Sequence, residues 1–118
     1  MSKEYSTLKS FSFAFDGIAS ALKQEPNFRI HIILGLIVLV AAYFLKFTSI
    51  EWLILILTIF FVLVLELINT TLEQLVDLVS PEVQPKAKIA KDVSAAAVLL
   101  SAIFSIIVGA ILFLPKIF

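Results

Sequence analysis

The chain has 118 residues, of which 61% are hydrophobic and only 15% charged, and its mean hydropathy is +1.10. Soluble domains carry about 25% charged and 45–50% apolar residues, so this composition excludes a water-soluble body, and its apolar richness excludes disorder. Nine basic residues balance nine acidic ones, which argues against a nucleic-acid partner, and the lack of Cys and the single His exclude disulfides, thiol chemistry and a His-rich zinc site within one chain.

The class that remains is a small integral membrane protein of one domain. In chain order, Leu8, Phe11, Phe15, Ile18 and Leu22 recur at spacings of three and four. This predicts an amphipathic helix over about residues 6–24, lying in the membrane interface with Phe side chains inserted. Asp16 interrupts any continuous apolar core, so the segment does not read as a signal peptide. Pro26 should end that helix. Three apolar stretches follow, and each is long enough to cross a bilayer core of roughly 30 Å. The predicted spans are about 28–47, 51–79 and 87–114. Pro81 closes the second and Pro115 follows the third. Gly35 and Gly109 lie inside spans, where small residues allow helices to approach closely.

Three spans put the N-terminus and the second connection on one side. That side holds Lys3, Lys9, Lys23, Arg29, Lys86, Lys88 and Lys91, against Lys46 and Lys116 on the other. The positive-inside rule then places the N-terminus in the cytoplasm and the C-terminus outside. For a bacterial chain, this is the inner (cytoplasmic) membrane.

Ionisable groups inside spans are costly, yet this chain concentrates them. Glu66, Asn69, Glu73 and Asp77 are spaced by three, four and four, so they share one side of the second span, with Thr70 beside them. Three carboxylates on one face repel each other and need metal ions or basic groups nearby. Lys88 and Asp92 form a helical pair by spacing, which leaves Lys91 free to meet a phosphate. Glu25 and Arg29, also four apart, read as an ion pair at the boundary of the first span. His31 reads as an interfacial polar group. Carboxylates with Lys and Arg at one interface are the parts of a magnesium–phosphate site. Three scattered glycines exclude a Walker-type loop. The rival reading is a channel or structural oligomer whose polar stripe lines a pore or subunit seam. A cation pore, however, gains nothing from basic groups beside its carboxylates.

The run Glu66-Leu67-Ile68-Asn69-Thr70-Thr71-Leu72-Glu73, followed by Asp77, resembles the signature of the small prokaryotic diacylglycerol kinases, E-x-x-N-[ST]-x-x-E-x-x-x-D. Glu25-Pro26-Asn27-Phe28-Arg29 resembles the E-x-x-x-R segment of that family. Ala90-Lys91-Asp92, with Ala95-Ala96-Ala97-Val98 after it, resembles its A-K-D segment. Asn27 to His31, Lys88 to Val93 and the Leu114-Pro115-Lys116 ending are more similar to its undecaprenol kinase branch.

The resemblance implies an all-α homotrimer, a surface helix plus three spans per chain, with active sites between neighbouring subunits. It implies ATP as phosphoryl donor, Mg2+ and a lipid alcohol, either undecaprenol or diacylglycerol. Carried over by motif, Glu66 falls at the general-base position, and Glu25 and Glu73 at metal and ATP-phosphate positions. Asn69 and Asp77 fall at polar site positions, and Lys91 and Asp92 at nucleotide-contacting ones. Glu82 and Gln84 fall in a loop passing the nucleotide, and Arg29, Glu66 and Ala95 at substrate-contacting positions. Phe13 stands where relatives often carry a nucleotide-contacting Tyr, and Ser6 where others carry Arg.

Overall fold

Caps and prolines set the boundaries of four helices in the computed structural model, which describes residues 6–118. Lys3, counted above on the basic side, lies outside these residues. The helices are α1 (Thr7–Gln24), α2 (Pro26–Phe44), α3 (Ser49–Val79) and α4 (Pro85–Ile117), with no strand among the described residues. Ser6 caps α1, its hydroxyl accepting from Lys9 N at 3.2 Å. Pro26 is the first residue of α2, and Glu25 before it is extended, at φ −113° and ψ 100°. The chain therefore turns a corner between the two helices. Arg29 reaches back across that corner, and its Nη1 donates to the carbonyls of Leu22 at 2.8 Å and Lys23 at 3.1 Å. The expected Glu25–Arg29 ion pair gives way to this cap, because a helix C-terminus carries unpaired carbonyls and partial negative charge.

The first membrane-length helix ends at Phe44, three residues before the expected boundary. Lys46 adopts φ 56°, and Lys46 N and Phe47 N donate to the carbonyls of Tyr43 at 3.3 Å and Ala42 at 3.2 Å. This is a Schellman turn. A Lys rather than a Gly occupies its left-handed position, so hydropathy alone runs past it. Thr48 and Glu51 then form a capping box, with Glu51 N donating to Thr48 Oγ1 at 3.3 Å and Thr48 N to Glu51 Oε1 at 2.9 Å. Pro85 opens α4. Contrary to the expected stop at Leu114, α4 runs through Pro115 to Ile117. Proline costs one helical hydrogen bond there and crowds the carbonyl four residues back, and the helix closes two residues later.

The long central helix α3 touches each of the other three. At 31 residues it is about 46 Å long, more than the hydrocarbon thickness. At the end where α3 begins, Ala42, Phe47, Leu55 and Leu112 form a small buried core. The Phe47 ring lies 4.9 Å from Phe113 and 6.1 Å from Trp52, centroid to centroid. Lys116 Nζ reaches Glu51 Oε1 at 2.9 Å there. At the other end α1 lies beside the last turns of α3, bordering a groove of about 700 Å³. The apolar stripe of α1 points away from the bundle, with Leu8 82%, Phe11 57% and Phe15 68% exposed. Large apolar side chains are also exposed around all three long helices. An all-helical, multi-pass membrane protein with an amphipathic helix outside its spans accounts for both facts.

Candidate functional site

Glu66 lies 15 residues along α3 from Glu51, or about 22 Å, toward the end where α1 packs. It is only 3% exposed. His31, from the second turn of α2, brings Nε2 to 3.3 Å from Glu66 Oε1. The contact is not aligned as a hydrogen bond, so Oε1 is a buried carboxylate oxygen with no hydrogen-bond partner among the described residues. Such an atom is costly unless something else engages it.

The next two turns of α3 carry the remaining polar groups. Asn69 Nδ2 donates to Glu73 Oε1 at 3.2 Å, and Ser94 Oγ of α4 donates to Asn69 Oδ1 at 2.7 Å. Glu25, at the α1–α2 corner, and Glu73 both lie within electrostatic reach of Glu66. The charges of Glu25 and Glu73 are therefore felt at Glu66 within a single chain. Contrary to the expectation that it stays free, Lys91 is paired: its Nζ meets Asp77 Oδ1 at 2.5 Å, joining α4 to α3. Glu73 also lies within electrostatic reach of Lys91. The carboxylate repulsion anticipated from sequence is thus offset by a cation from the neighbouring helix.

Other expected positions stand apart from this cluster. Asp92 pairs with Lys88 at 2.5 Å on an exposed surface of α4, and Ala95 is exposed. Glu82 and Gln84 are exposed in the α3–α4 connection. There Ser80 Oγ donates to Glu82 O at 3.0 Å, and Gln84 stands at the N-cap position of α4 without a side-chain capping bond. Phe13 is half-buried on α1, with Lys9 Nζ 5.9 Å from its ring centre. Arg29 serves the α1 cap. Two contributors escaped the sequence reading. His31 was set aside as an interfacial group, and Ser94 was not singled out, although it stands one helical turn after Lys91 on the same side of α4.

Among the described residues, no three His, Asp or Glu side chains converge closely enough to hold a metal alone. Magnesium is commonly held by one or two carboxylates together with phosphate oxygens and water. The donor set here, the hard carboxylate oxygens of Glu25 and Glu73, suits that mode of binding.

A polar, carboxylate-bearing stretch of α3 within a bundle of three membrane-length helices, with an amphipathic helix beside it, defines a small multi-pass membrane protein. The chain belongs to the prokaryotic diacylglycerol kinase family, which it matches over residues 12–113. A diacylglycerol kinase of Synechocystis is 47% identical over 109 residues, covering 92% of this chain but 62% of the relative. An undecaprenol kinase of Bacillus subtilis is 41% identical over 108 residues, 92% of this chain and 88% of the relative. A diacylglycerol kinase of Escherichia coli is 30% identical over 105 residues, 89% of this chain and 86% of the relative.

Proposed function

We propose that this protein is a lipid kinase that transfers the γ-phosphoryl group of ATP to the hydroxyl of a membrane lipid alcohol, with undecaprenol as the substrate. The observation that carries the reading is Glu66, a buried carboxylate within α3, one oxygen of which faces His31 and has no hydrogen-bond partner among the described residues. Glu66 accepts the hydroxyl proton as the oxygen attacks phosphorus. A carboxylate in a partly apolar setting is suited to that work near neutral pH. Lys91 and Arg29 belong to the same end of the molecule, where they offset phosphate charge. Asn69 holds Glu73 by its amide. Glu25 and Glu73 are the residues that would hold Mg2+, which when bound neutralises charge on the phosphate oxygens. Positioning and electrostatics, rather than covalent chemistry, carry catalysis of this kind.

The groove between α1 and α3 gives the lipid a lateral way in from the bilayer. It is lined by Gly17 and Ala21 of α1 and by Leu67 and Thr70 of α3. Thr70 stands one turn from Glu66 and donates to its carbonyl at 3.0 Å. In this reading the basic end, with Lys9, Lys23, Arg29, Lys86, Lys88 and Lys91, faces the cytoplasm across the inner membrane. A homotrimer completes the protein, since Asp77 and much of α3 stay uncovered in one chain and polar groups in a span favour helix association.

Undecaprenol is favoured by the Bacillus subtilis relative, most of whose length is matched. Diacylglycerol is the second reading, favoured by the higher identity to the Synechocystis relative. The test is ATP-dependent labelling of undecaprenol and diacylglycerol presented side by side in mixed micelles. Label on undecaprenol is expected. Label on diacylglycerol alone selects the second reading, and label on neither lipid refutes the kinase reading.

A further inference from the structure

We propose that Ser94 is a positioning residue: its hydroxyl, reaching from α4 to the Asn69 amide of α3, fixes the orientation in which Asn69 holds Glu73. This inference rests on the lipid-kinase reading, within which Glu73 serves Mg2+ and ATP.

The argument begins with what hydroxyls do in apolar helices. A Ser or Thr within a span has no water to satisfy it, and the nearest acceptor is a carbonyl three or four residues back in its own helix. Five hydroxyls in α3 and α4 do this. Thr58, Thr70 and Thr71 donate to the carbonyls of Ile54, Glu66 and Leu67 at 2.8–3.0 Å. Ser101 and Ser105 donate to those of Val98 and Ala102 at 2.7 Å. Ser94 departs from this pattern. Its Oγ donates instead to a side chain 25 residues away, Asn69 Oδ1, at 2.7 Å. The residue is 7% exposed, so water does not compete for the bond.

The consequence falls on Asn69. A side-chain amide has one accepting and one donating end, and a flip exchanges them. With Oδ1 engaged by Ser94, Nδ2 is directed to Glu73 Oε1 at 3.2 Å. In the flipped amide, Oδ1 would face the Glu73 carboxylate, acceptor against acceptor. The carboxylate, which only accepts, sets which end of the amide faces it, and Ser94, by donating to Oδ1, holds the amide in that orientation, so a relay of two hydrogen bonds runs from α4 through α3 to the carboxylate. Lys91, one turn earlier on α4, pairs with Asp77, so α4 positions this polar stretch of α3 at two levels.

The experiment measures binding apart from turnover. The probe is a non-transferable ATP analogue with magnesium, titrated onto the full chain in detergent for wild type, Ser94→Ala, Ser94→Thr, Asn69→Ala and the Ser94→Ala/Asn69→Ala double variant. Ser94→Ala is expected to weaken magnesium-dependent analogue binding about tenfold, the scale of one hydrogen bond supporting a charged group. In turnover the same change should appear in KM for Mg·ATP with little change in kcat. Ser94→Thr, which keeps the hydroxyl, should restore binding. In the Asn69→Ala background, Ser94→Ala should cost nothing further. An undiminished effect of Ser94→Ala in that background, or no effect in the wild-type background, overturns the proposal. A separate readout guards against failure of the kinase reading. The Asn69 side-chain amide resonances should shift in Ser94→Ala whether or not the protein transfers phosphate. Unchanged resonances overturn the proposal, whereas absence of lipid phosphorylation by wild type overturns only the functional reading on which it rests.

Discussion

Replacing Glu66 with Gln separates the chemistry of this residue from its place in the fold. The substitution keeps the shape of the side chain and removes its capacity to take a proton. The loss can be scaled from the surroundings. Glu66 is 3% exposed, so bulk water does not supply a replacement base. The next carboxylate along the helix, Glu73, is seven residues on, a rise of about 10 Å, too far to reach the same hydroxyl. General-base catalysis contributes about 10²–10⁴ in rate, so phosphorylation should fall at least about a hundredfold, or about 2.7 kcal/mol in the barrier. Stability should move the other way. Charged groups within spans are costly, and the Glu66 oxygen without a hydrogen-bond partner gives up only its contact with His31 when it becomes a neutral amide. The assay is initial-rate lipid phosphorylation at saturating Mg·ATP, paired with a thermal unfolding midpoint in the same detergent. Lost activity with an unchanged or raised midpoint is expected. Turnover within about tenfold of wild type would remove Glu66 from the base role.

Glu25→Ala and Glu73→Ala should each shift the magnesium dependence of activity to higher concentration, because a hard cation loses an oxygen ligand. Inactivity with an unaltered magnesium requirement in both would assign them to the fold. If the site lies between neighbouring subunits, as the family resemblance implies, co-assembled mixtures of the two variants should regain activity, and no recovery in tagged mixed oligomers would show that each site is built within one chain. A Cβ on Gly35 would stand 3.2 Å from Ile59 Cγ2, so Gly35→Leu should overpack the α2–α3 contact and cost about 1–3 kcal/mol in reversible unfolding. An undiminished midpoint would show that the two helices separate freely. At the opposite end, Lys116→Met breaks the pair with Glu51. It should lower the unfolding midpoint slightly and leave lipid phosphorylation unchanged, and an activity loss there would contradict the placement of the site.

The helices were legible because the sequence marks them chemically. Pro26 separates α1 from α2 and Pro81 stands just beyond α3, and the Leu8–Leu22 stripe keeps its period, while Pro85 and the Thr48–Glu51 box, which also set helix starts, drew no notice. The carboxylate face of α3 was legible for the same reason, since spacing fixes angle around a helix. What spacing does not fix is which helix faces which. The His31 approach to Glu66, the Lys91–Asp77 pair and the Ser94–Asn69 bond all join different helices. Their partners are set by packing, so Lys91 read as free and Ser94 drew no notice. The early end of α2 at Phe44 was hidden because Lys46, not Gly, takes the left-handed turn.

The Arg29 cap has a mechanical consequence. By holding the last carbonyls of α1 from the first turn of α2, it makes the corner at Glu25 a braced joint rather than a hinge. The first span then changes its inclination only by carrying the surface helix with it. A thinner or thicker bilayer alters the inclination of a spanning helix. Through this brace, such a change lifts or lowers α1 against the headgroups and moves Glu25, which sits at the joint, relative to the carboxylates of α3.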